Sequence, residues 1–286
     1  METDKEAHRK QIEKFIKRMP SLSTTVGKVM EICSRTDASP NELNKVISLD
    51  PVLTGQVLKL INSAYYSLMN KVTSLTRAIT MLGMNTVKNM ALSTAIICTV
   101  SGAKKSKALP TSKFWAHSIG TGVCAKLLAR ANDVPVVECE EYFVAGLLHD
   151  LGKIPFGDEY SDVLLRARHE QRPLIEVERE MLGVDHQEVG RLIAEKWTLN
   201  ESMKSAICFH HDVEAAADEY KVRAAYVGLA NMYANILDIG YAGDPFPSDL
   251  DAEKMLALTG LTWEMFGDVA EGIEAELEKA QIFLQI

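Results

Sequence analysis

The sequence predicts an all-helical protein built of two helical lobes. Apolar residues recur at three- and four-residue spacing through nearly every long segment, and no stretch shows the period-two alternation of a strand. The polar, small and basic run Ser101-Gly102-Ala103-Lys104-Lys105-Ser106-Lys107-Ala108-Leu109-Pro110 then divides the helices into two blocks, residues 1–105 and 106–286.

The elements follow in order. Residues 10–18 place Ile12, Phe15 and Ile16 on one helical face, and Met19-Pro20-Ser21-Leu22 is a break. Residues 24–34 carry Val26, Val29, Met30 and Cys33 on one side. Ser39 is the N-cap of the next helix, with Pro40 at its first position and Glu42 completing a capping box. Asp50-Pro51 starts another helix in the same way, running to Asn62-Ser63-Ala64, whose polar side chains can satisfy freed backbone groups. Tyr65 and Tyr66 can pack their rings while their hydroxyls find partners. Residues 74–82 and 87–100 complete the first block. In the second, Thr111 is expected to cap a helix bearing Phe114, Trp115, His117 and Ile119. Further helices are expected at 123–130, 139–149, 161–170, 174–182, 186–197, 201–210 and 222–237. A Gly/Pro/Asp-rich loop at 240–249 precedes two more, at 252–259 and 263–283. Gly152 is expected to end the helix that carries His149.

Composition narrows the function. Of 286 residues, 47% are hydrophobic and 24% charged, an ordinary globular balance. A net charge of -8 and a pI near 5.5 argue against a nucleic-acid binder, which would show a basic stripe, but leave room for a small phosphorylated ligand in a local basic pocket. The polar N-terminus does not resemble a signal peptide, and the most apolar window, 90–100, is too short to span a bilayer. The expectation is a soluble cytoplasmic protein with no membrane partner. The five dispersed cysteines form no disulfide or zinc pattern and read as buried free thiols.

The chemistry concentrates in the second block. His149-Asp150 ends the apolar run 142–148, and His117, His186, His210 and His211 lie on or beside other predicted helices. Imidazole and carboxylate without thiolate suit Fe or Mn in preference to Zn, so one or two divalent transition metals are expected. Adjacent helical residues point about 100° apart. His149 therefore suits one metal while the Asp150 carboxylate reaches a second, and two metals can clamp a phosphoryl group. Lys153 could meet a phosphate as a point charge or stay solvated. His210-His211-Asp212 could also be no more than a polar helix end. His8 and His169 read as surface residues.

Phe114-Trp115-Ala116-His117-Ser118 and Ala145-Gly146-Leu147-Leu148-His149-Asp150-Leu151-Gly152-Lys153 resemble the HD superfamily of metal-dependent phosphohydrolases. Leu49-Asp50-Pro51-Val52-Leu53, Leu60-Ile61-Asn62-Ser63-Ala64-Tyr65-Tyr66 and Leu75-Thr76-Arg77-Ala78-Ile79-Thr80-Met81-Leu82-Gly83 are similar to the HDOD family, a likeness covering about residues 15–240. The resemblance implies a bacterial protein with an N-terminal helical lobe packed on an HD-like lobe. The pattern also looks like the HD-GYP cyclic-dinucleotide phosphodiesterases. That likeness implies that His117, His149, Asp150 and a later Asp hold one metal, and that Asp150 bridges to a second held by His186, His210 and His211. The later Asp is Asn231 here, a weak or lost ligand, and the GYP segment is absent. Two functions follow as expectations. The first is a non-enzymatic signal-transduction module with a degenerate metal site, serving a signalling protein partner or a small phosphorylated ligand. The second is a metal-dependent phosphohydrolase acting on a nucleotide or cyclic dinucleotide.

The run between the two blocks buries little by its composition, so limited proteolysis with trypsin should cut first at Lys104, Lys105 or Lys107. First cleavage within residues 53–61, visible by mass spectrometry of the early fragments, would contradict the two-lobe division.

Overall fold

The structure is a computed structural model and describes residues 2–35, 37–101, 107–244 and 249–285. The described residues are predominantly helical and include no strand. The expected run 101–110 lies largely outside them, as do residues 245–248 of the expected loop.

The N-terminal lobe is built from α2 (Thr24–Ser34), α3 (Pro40–Ser48), α4 (Pro51–Ile61), α5 (Leu75–Leu82) and α6 (Met84–Ser101). Their starts are set by local chemistry. Ser39 and Glu42 form the capping box in both directions, and Asp50 and Ser74 each accept the backbone N–H three residues on. Asn62 closes the loop after α4 by bonding both backbone groups of Val72, at 2.8 and 2.7 Å. α6 is the central helix of this lobe, in contact with α2, α4 and α5, and it also packs on α8 (Val136–Leu148) of the second lobe.

The helix α1 (Glu2–Arg18) is longer than the apolar spacing predicts. Its first turns are polar, and Glu6 pairs with Lys10 at one-turn spacing. It seats on the C-terminal lobe, where Lys196 donates to the carbonyls of Ile16, Lys17 and Met19 and so closes the helix end.

The C-terminal lobe centres on α7 (Thr111–Ala131), which packs on α8, α13 (Asp218–Ile236) and α15 (Trp263–Ala280). Two expectations are corrected here. Thr111 does not cap α7, because Pro110 holds the N-cap position and Thr111 is the first helical residue. The helices expected at 114–119 and 123–130 are one, since Gly120 and Gly122 continue α7 rather than interrupt it. A Cβ on Gly122 would lie 2.6 Å from the Phe143 carbonyl, and one on Gly146 would lie 2.8 Å from the Gly122 Cα. The glycines are there so that α7 and α8 can cross backbone to backbone. Around this pair lie α9 (Tyr160–Glu170), α10 (Leu174–Leu182), α11 (His186–Lys196), α12 (Glu201–Phe209) and α14 (Asp249–Thr259).

The lobes meet at α6 and α8. Tyr65 packs edge-on against Tyr66 and Phe283 and tilts against Phe143, while its hydroxyl accepts from Lys126 and the Tyr66 hydroxyl donates to Glu140. Beside them Glu141 is held by Lys88 of α6 and Arg223 of α13, at 3.2 and 2.8 Å. The cysteine expectation is also corrected in part: Cys124, Cys139 and Cys208 are buried, but Cys33 is half-buried and Cys98 is exposed on the outer side of α6.

Burial pushes the Glu141 carboxyl up, but Lys88 and Arg223 outweigh it and hold its pKa below the usual value. A carboxylate with a depressed folded pKa adds stability that is complete above its unfolded pKa of about 4.3 and is lost as pH falls through the folded value. Urea unfolding of Glu141→Gln should therefore show a deficit against the wild type at pH 7 that shrinks as pH falls below about 4. A deficit that stays constant with pH would show that the charge contributes nothing.

Candidate metal centre

The end of α8 delivers the first ligands. The helix stops at Leu148, His149 is its C-cap, and Asp150 opens the 3-10 segment Leu151–Glu159. Gly152 does not end a helix in the left-handed conformation; its backbone lies directly against the start of α11. A Cβ there would sit 1.8 Å from the His186 carbonyl and 2.6 Å from the Gly190 amide nitrogen. This contact brings His186, the first residue of α11, to Asp150. His117 comes from the centre of α7 across the glycine crossing, and its ring centroid is 5.6 Å from that of His149. His210 and His211 follow the end of α12, and Asn231 lies on α13.

Asp150 is the hub and has no exposure to solvent. Its Oδ2 faces His149 Nε2 at 3.2 Å, His117 Nε2 at 3.9 Å and Lys153 Nζ at 2.7 Å. Its Oδ1 faces His186 Nε2 at 3.6 Å and His210 Nε2 at 3.8 Å, and makes no hydrogen bond. The histidines and Asp150 thus form two groups with donor atoms close enough to share an ion: His117, His149 and Asp150, and His186, His210 and His211.

The outward nitrogens of four imidazoles are committed elsewhere. Nδ1 of His149 lies 2.6 Å from the Gly146 carbonyl, and that of His117 lies 3.3 Å from the Ile239 carbonyl. Nδ1 of His210 lies 3.1 Å from both the Ala206 and Ile207 carbonyls, and that of His186 lies 2.6 Å from Glu178. A proton on Nδ1 of His149, His186 and His210 leaves an Nε2 lone pair directed inward, the tautomer in which histidine ligates a metal, whereas His117 Nε2 lies 2.9 Å from the side-chain oxygen of Asn231 and donates to it. Nε2 of His186 and His210 confront each other at 3.4 Å, and Nε2 of His149 is buried without a hydrogen-bond partner. When both rings are neutral their opposed lone pairs make this a place where a cation can bind.

The electrostatics keep three of the rings neutral and favour the charged form of His186. Burial and the neighbouring His149 lower the pKa of His117 to about 4. Burial and the adjacent imidazoles hold His210 and His211 well below the ordinary histidine value, so these rings stay neutral. Burial lowers His186, but Glu178 reverses this and raises it. Burial opposes the Asp150 charge, yet His149 and Lys153 hold its pKa well below the usual range. Burial also opposes the Lys153 charge, and Asp150, Asp244 and Glu178 together raise its pKa.

Lys153 is buried rather than solvated. Asn231 is buried beside His117, with its side-chain oxygen 2.9 Å from Nε2. His169 is exposed; His8 is half-buried and pairs with Glu159 at 3.3 Å. Sequence reasoning missed Glu178, which bonds the His186 ring and backbone N–H and also accepts from Tyr160. Its signal was present: Leu174, Ile175, Val177 and Leu182 form the inner face of α10, and Glu178 sits within that stripe. It also missed Asp244, 3.6 Å from His211 Nε2. The centre adjoins a cavity of about 260 Å3 lined by His210, His211, Asn231 and Asp244.

The fold and site define an HD-type all-helical protein. The HDOD domain profile matches residues 19–213, and the chain belongs to the HDOD family. A protein of Treponema pallidum (strain Nichols), itself uncharacterized, is 26% identical over 224 residues, covering 77% of this chain and 43% of that protein. The chain thus spans less than half the length of this curated relative. An HDOD domain protein of unknown function from Geobacter sulfurreducens superposes with a TM-score of 0.78 at 24% identity, covering 97% of this chain and 98% of the other. A Shewanella amazonensis SB2B protein provisionally named a phosphohydrolase gives 0.71 at 21% identity, with 96% and 98% covered. A Marinobacter aquaeolei VT8 protein provisionally named for signal transduction gives 0.72 at 18%, with 98% and 66% covered. These structural likenesses establish the fold.

Gly152→Ala should cost about 3 kcal/mol in urea unfolding, because the new methyl would meet backbone that cannot give way. Gly27→Ala, in α2 with nothing within 4 Å of the new atom, should instead raise stability by about 0.5–1 kcal/mol. Equal effects of the two would refute the close packing of Gly152 on α11.

Proposed function

We propose that this chain is a regulatory HDOD module of a bacterial signalling system whose HD-type centre holds two divalent transition metals, Fe or Mn in preference to Zn. His117, His149 and Asp150 would hold one ion, and Asp150, His186, His210 and His211 the other. The fit is supported by the inward Nε2 atoms, by the unpartnered Asp150 Oδ1 and by a donor set of imidazole and carboxylate. Bound there, the ions would supply the positive charge that holds a phosphoryl group.

One observation carries the regulatory reading: a buried amide, Asn231, meets His117 where the HD-GYP likeness calls for a carboxylate. A neutral ligand leaves the first ion short of negative charge and weakly held. Lys153 compensates Asp150, so a direct phosphate contact by this residue requires that its bond to Asp150 be given up. The cavity at the centre has Arg179 as its lining cation, already paired with Asp185. Glu176, Asp212 and Asp244 also line it, so the attraction for a small phosphorylated ligand would come from the bound ions. A signalling protein partner remains part of the reading, with neither nucleic acid nor membrane as a partner. Among the described residues no helix is long and apolar enough to cross a membrane. The phosphohydrolase reading is favoured by the ligands of the second ion, which lack nothing.

Elemental analysis of protein produced in Fe- and Mn-replete medium should find one to two equivalents. Asp150→Ala should remove more metal than Asn231→Ala, with His169→Ala unchanged, and the metal-replete wild type should not hydrolyse cyclic di-GMP. Less than roughly a tenth of an equivalent in the wild type would refute the metal centre. Turnover that Asp150→Ala abolishes would replace the regulatory reading by the phosphohydrolase.

A further inference from the structure

The segment after α13 crosses the site like a strap. At its start the Ile239 carbonyl faces His117 Nδ1, and the Tyr241 backbone N–H donates to the Lys113 carbonyl of α7. Two glycines shape it. Gly240 has φ +68, and a Cβ there would lie 2.3 Å from the His117 amide nitrogen. Gly243 has φ +88, and a Cβ there would lie 2.3 Å from the Leu164 side chain. Both values favour glycine, and at Gly240 the surrounding backbone leaves no room for a side chain. The strap therefore lies flat on α7 and α9 and carries Asp244 inward at its far end.

Asp244 is only 4% exposed, yet it is poorly paired. Its Oδ1 accepts from the Leu174 backbone N–H at a long 3.4 Å. Its Oδ2 faces His211 Nε2 at 3.6 Å, too far for a hydrogen bond, and that nitrogen is buried with no partner. A buried imidazole nitrogen with no partner, facing a buried carboxylate that has one long hydrogen bond, is costly in the bare protein. The spacing has another meaning when an ion is shared. Two ligand atoms each about 2.1 Å from one metal, at 90–110° to each other, lie about 3.0–3.5 Å apart.

We infer that Asp244 is a carboxylate ligand of the metal at the His186–His210–His211 end, supplying from the strap the negative charge that Asn231 does not supply from α13. The inference rests on the metal centre proposed above. Two divalent ions carry four positive charges beside Lys153, and Asp150 is the one carboxylate among the ligands already named. Asp244 brings a second. It also lines the cavity that opens on His210 and His211, and so stands on the accessible side of the centre. The second ion is thereby the better compensated of the pair, and the ion beside Asn231 the more easily lost.

The test is Mn2+ binding to the metal-stripped full chain by titration calorimetry, with elemental analysis of the dialysed protein. Asp244→Asn keeps the shape and a hydrogen-bonding oxygen but loses the charge. It should weaken the tighter Mn2+ site by about tenfold or more, the scale seen for residues that support metal sites. Asp244→Glu should recover part of that affinity. Asp238→Asn, on the same strap and with no metal group nearby, should bind as the wild type does. The stripped Asp244→Asn protein should melt no lower than the stripped wild type, since an under-paired buried charge has been removed, while gaining less in Tm on adding Mn2+. Wild-type affinity and stoichiometry in Asp244→Asn would overturn the inference and leave the metal centre standing. A wild type that binds no Mn2+, Fe2+ or Zn2+ would overturn both. A stripped variant that melts well below the stripped wild type would make Asp244 a structural residue and overturn its assignment as a ligand.

Discussion

The constraint on which the rest of the structure depends is the burial of the Asp150 carboxylate with its two oxygens facing opposite ways. One oxygen looks toward His117 and His149, the other toward His186 and His210. A carboxylate with no solvent contact has to be surrounded by positive charge or by groups that can bind it. Lys153, one turn along the 3-10 segment, meets part of that need. The geometry of the lobe serves the remainder. The α7–α8 crossing at Gly122 and Gly146 sets the distance to His117, and Gly152 against α11 sets the distance to His186. Enlarging any of these small residues would move a ligand rather than merely crowd the core.

Behind the histidines stands a second layer that fixes which nitrogen faces in. Backbone carbonyls do this for His149 and His210, and they are cheap because helix ends leave carbonyls free. His186 is different. It begins a helix, so the free backbone groups around it are N–H donors, and a carbonyl is not at hand. Glu178 of α10 fills that role, and one of its oxygens takes both the ring and the backbone N–H of His186. A buried glutamate on an otherwise apolar helical face is the consequence of placing a ligand at a helix N-terminus.

Much of this was legible in the sequence, and the reasons divide cleanly. Helix starts at Ser39, Ser74 and Asp50 announce themselves through local side-chain chemistry, which does not need the rest of the chain. The His149-Asp150 pair and the scattered histidines are legible because imidazole is rare and chemically specific. What was not legible is set by contacts between segments distant in sequence. Gly120 and Gly122 look like breaks until the Phe143 backbone and Ile239 are seen against them. Gly152 looks like a helix stop until α11 is seen pressing on it. Lys153 looks solvated because a lysine usually is, and only the carboxylates of Asp150, Asp244 and Glu178 account for its burial. Asp244 lies in a Gly- and Pro-rich stretch that reads as surface loop, and its inward turn depends on packing against α9.

On the regulatory reading proposed above, the same layout would let the module keep a full set of histidines while departing from a hydrolase at one residue. The histidines proposed as ligands are also structural: they fill the core between α7, α8, α11 and α12, and His117, His149, His186 and His210 each contact a backbone carbonyl or a buried carboxylate. Losing one would leave a cavity and an unsatisfied group. Asn231 is another matter. Asparagine and aspartate have nearly the same volume, and the amide oxygen meets His117 while accepting from Asn235. The exchange would change the charge at the proposed first ion and little in the packing. It would thus weaken metal chemistry at little cost in stability, which the proposed signalling role, needing binding but not turnover, can accommodate.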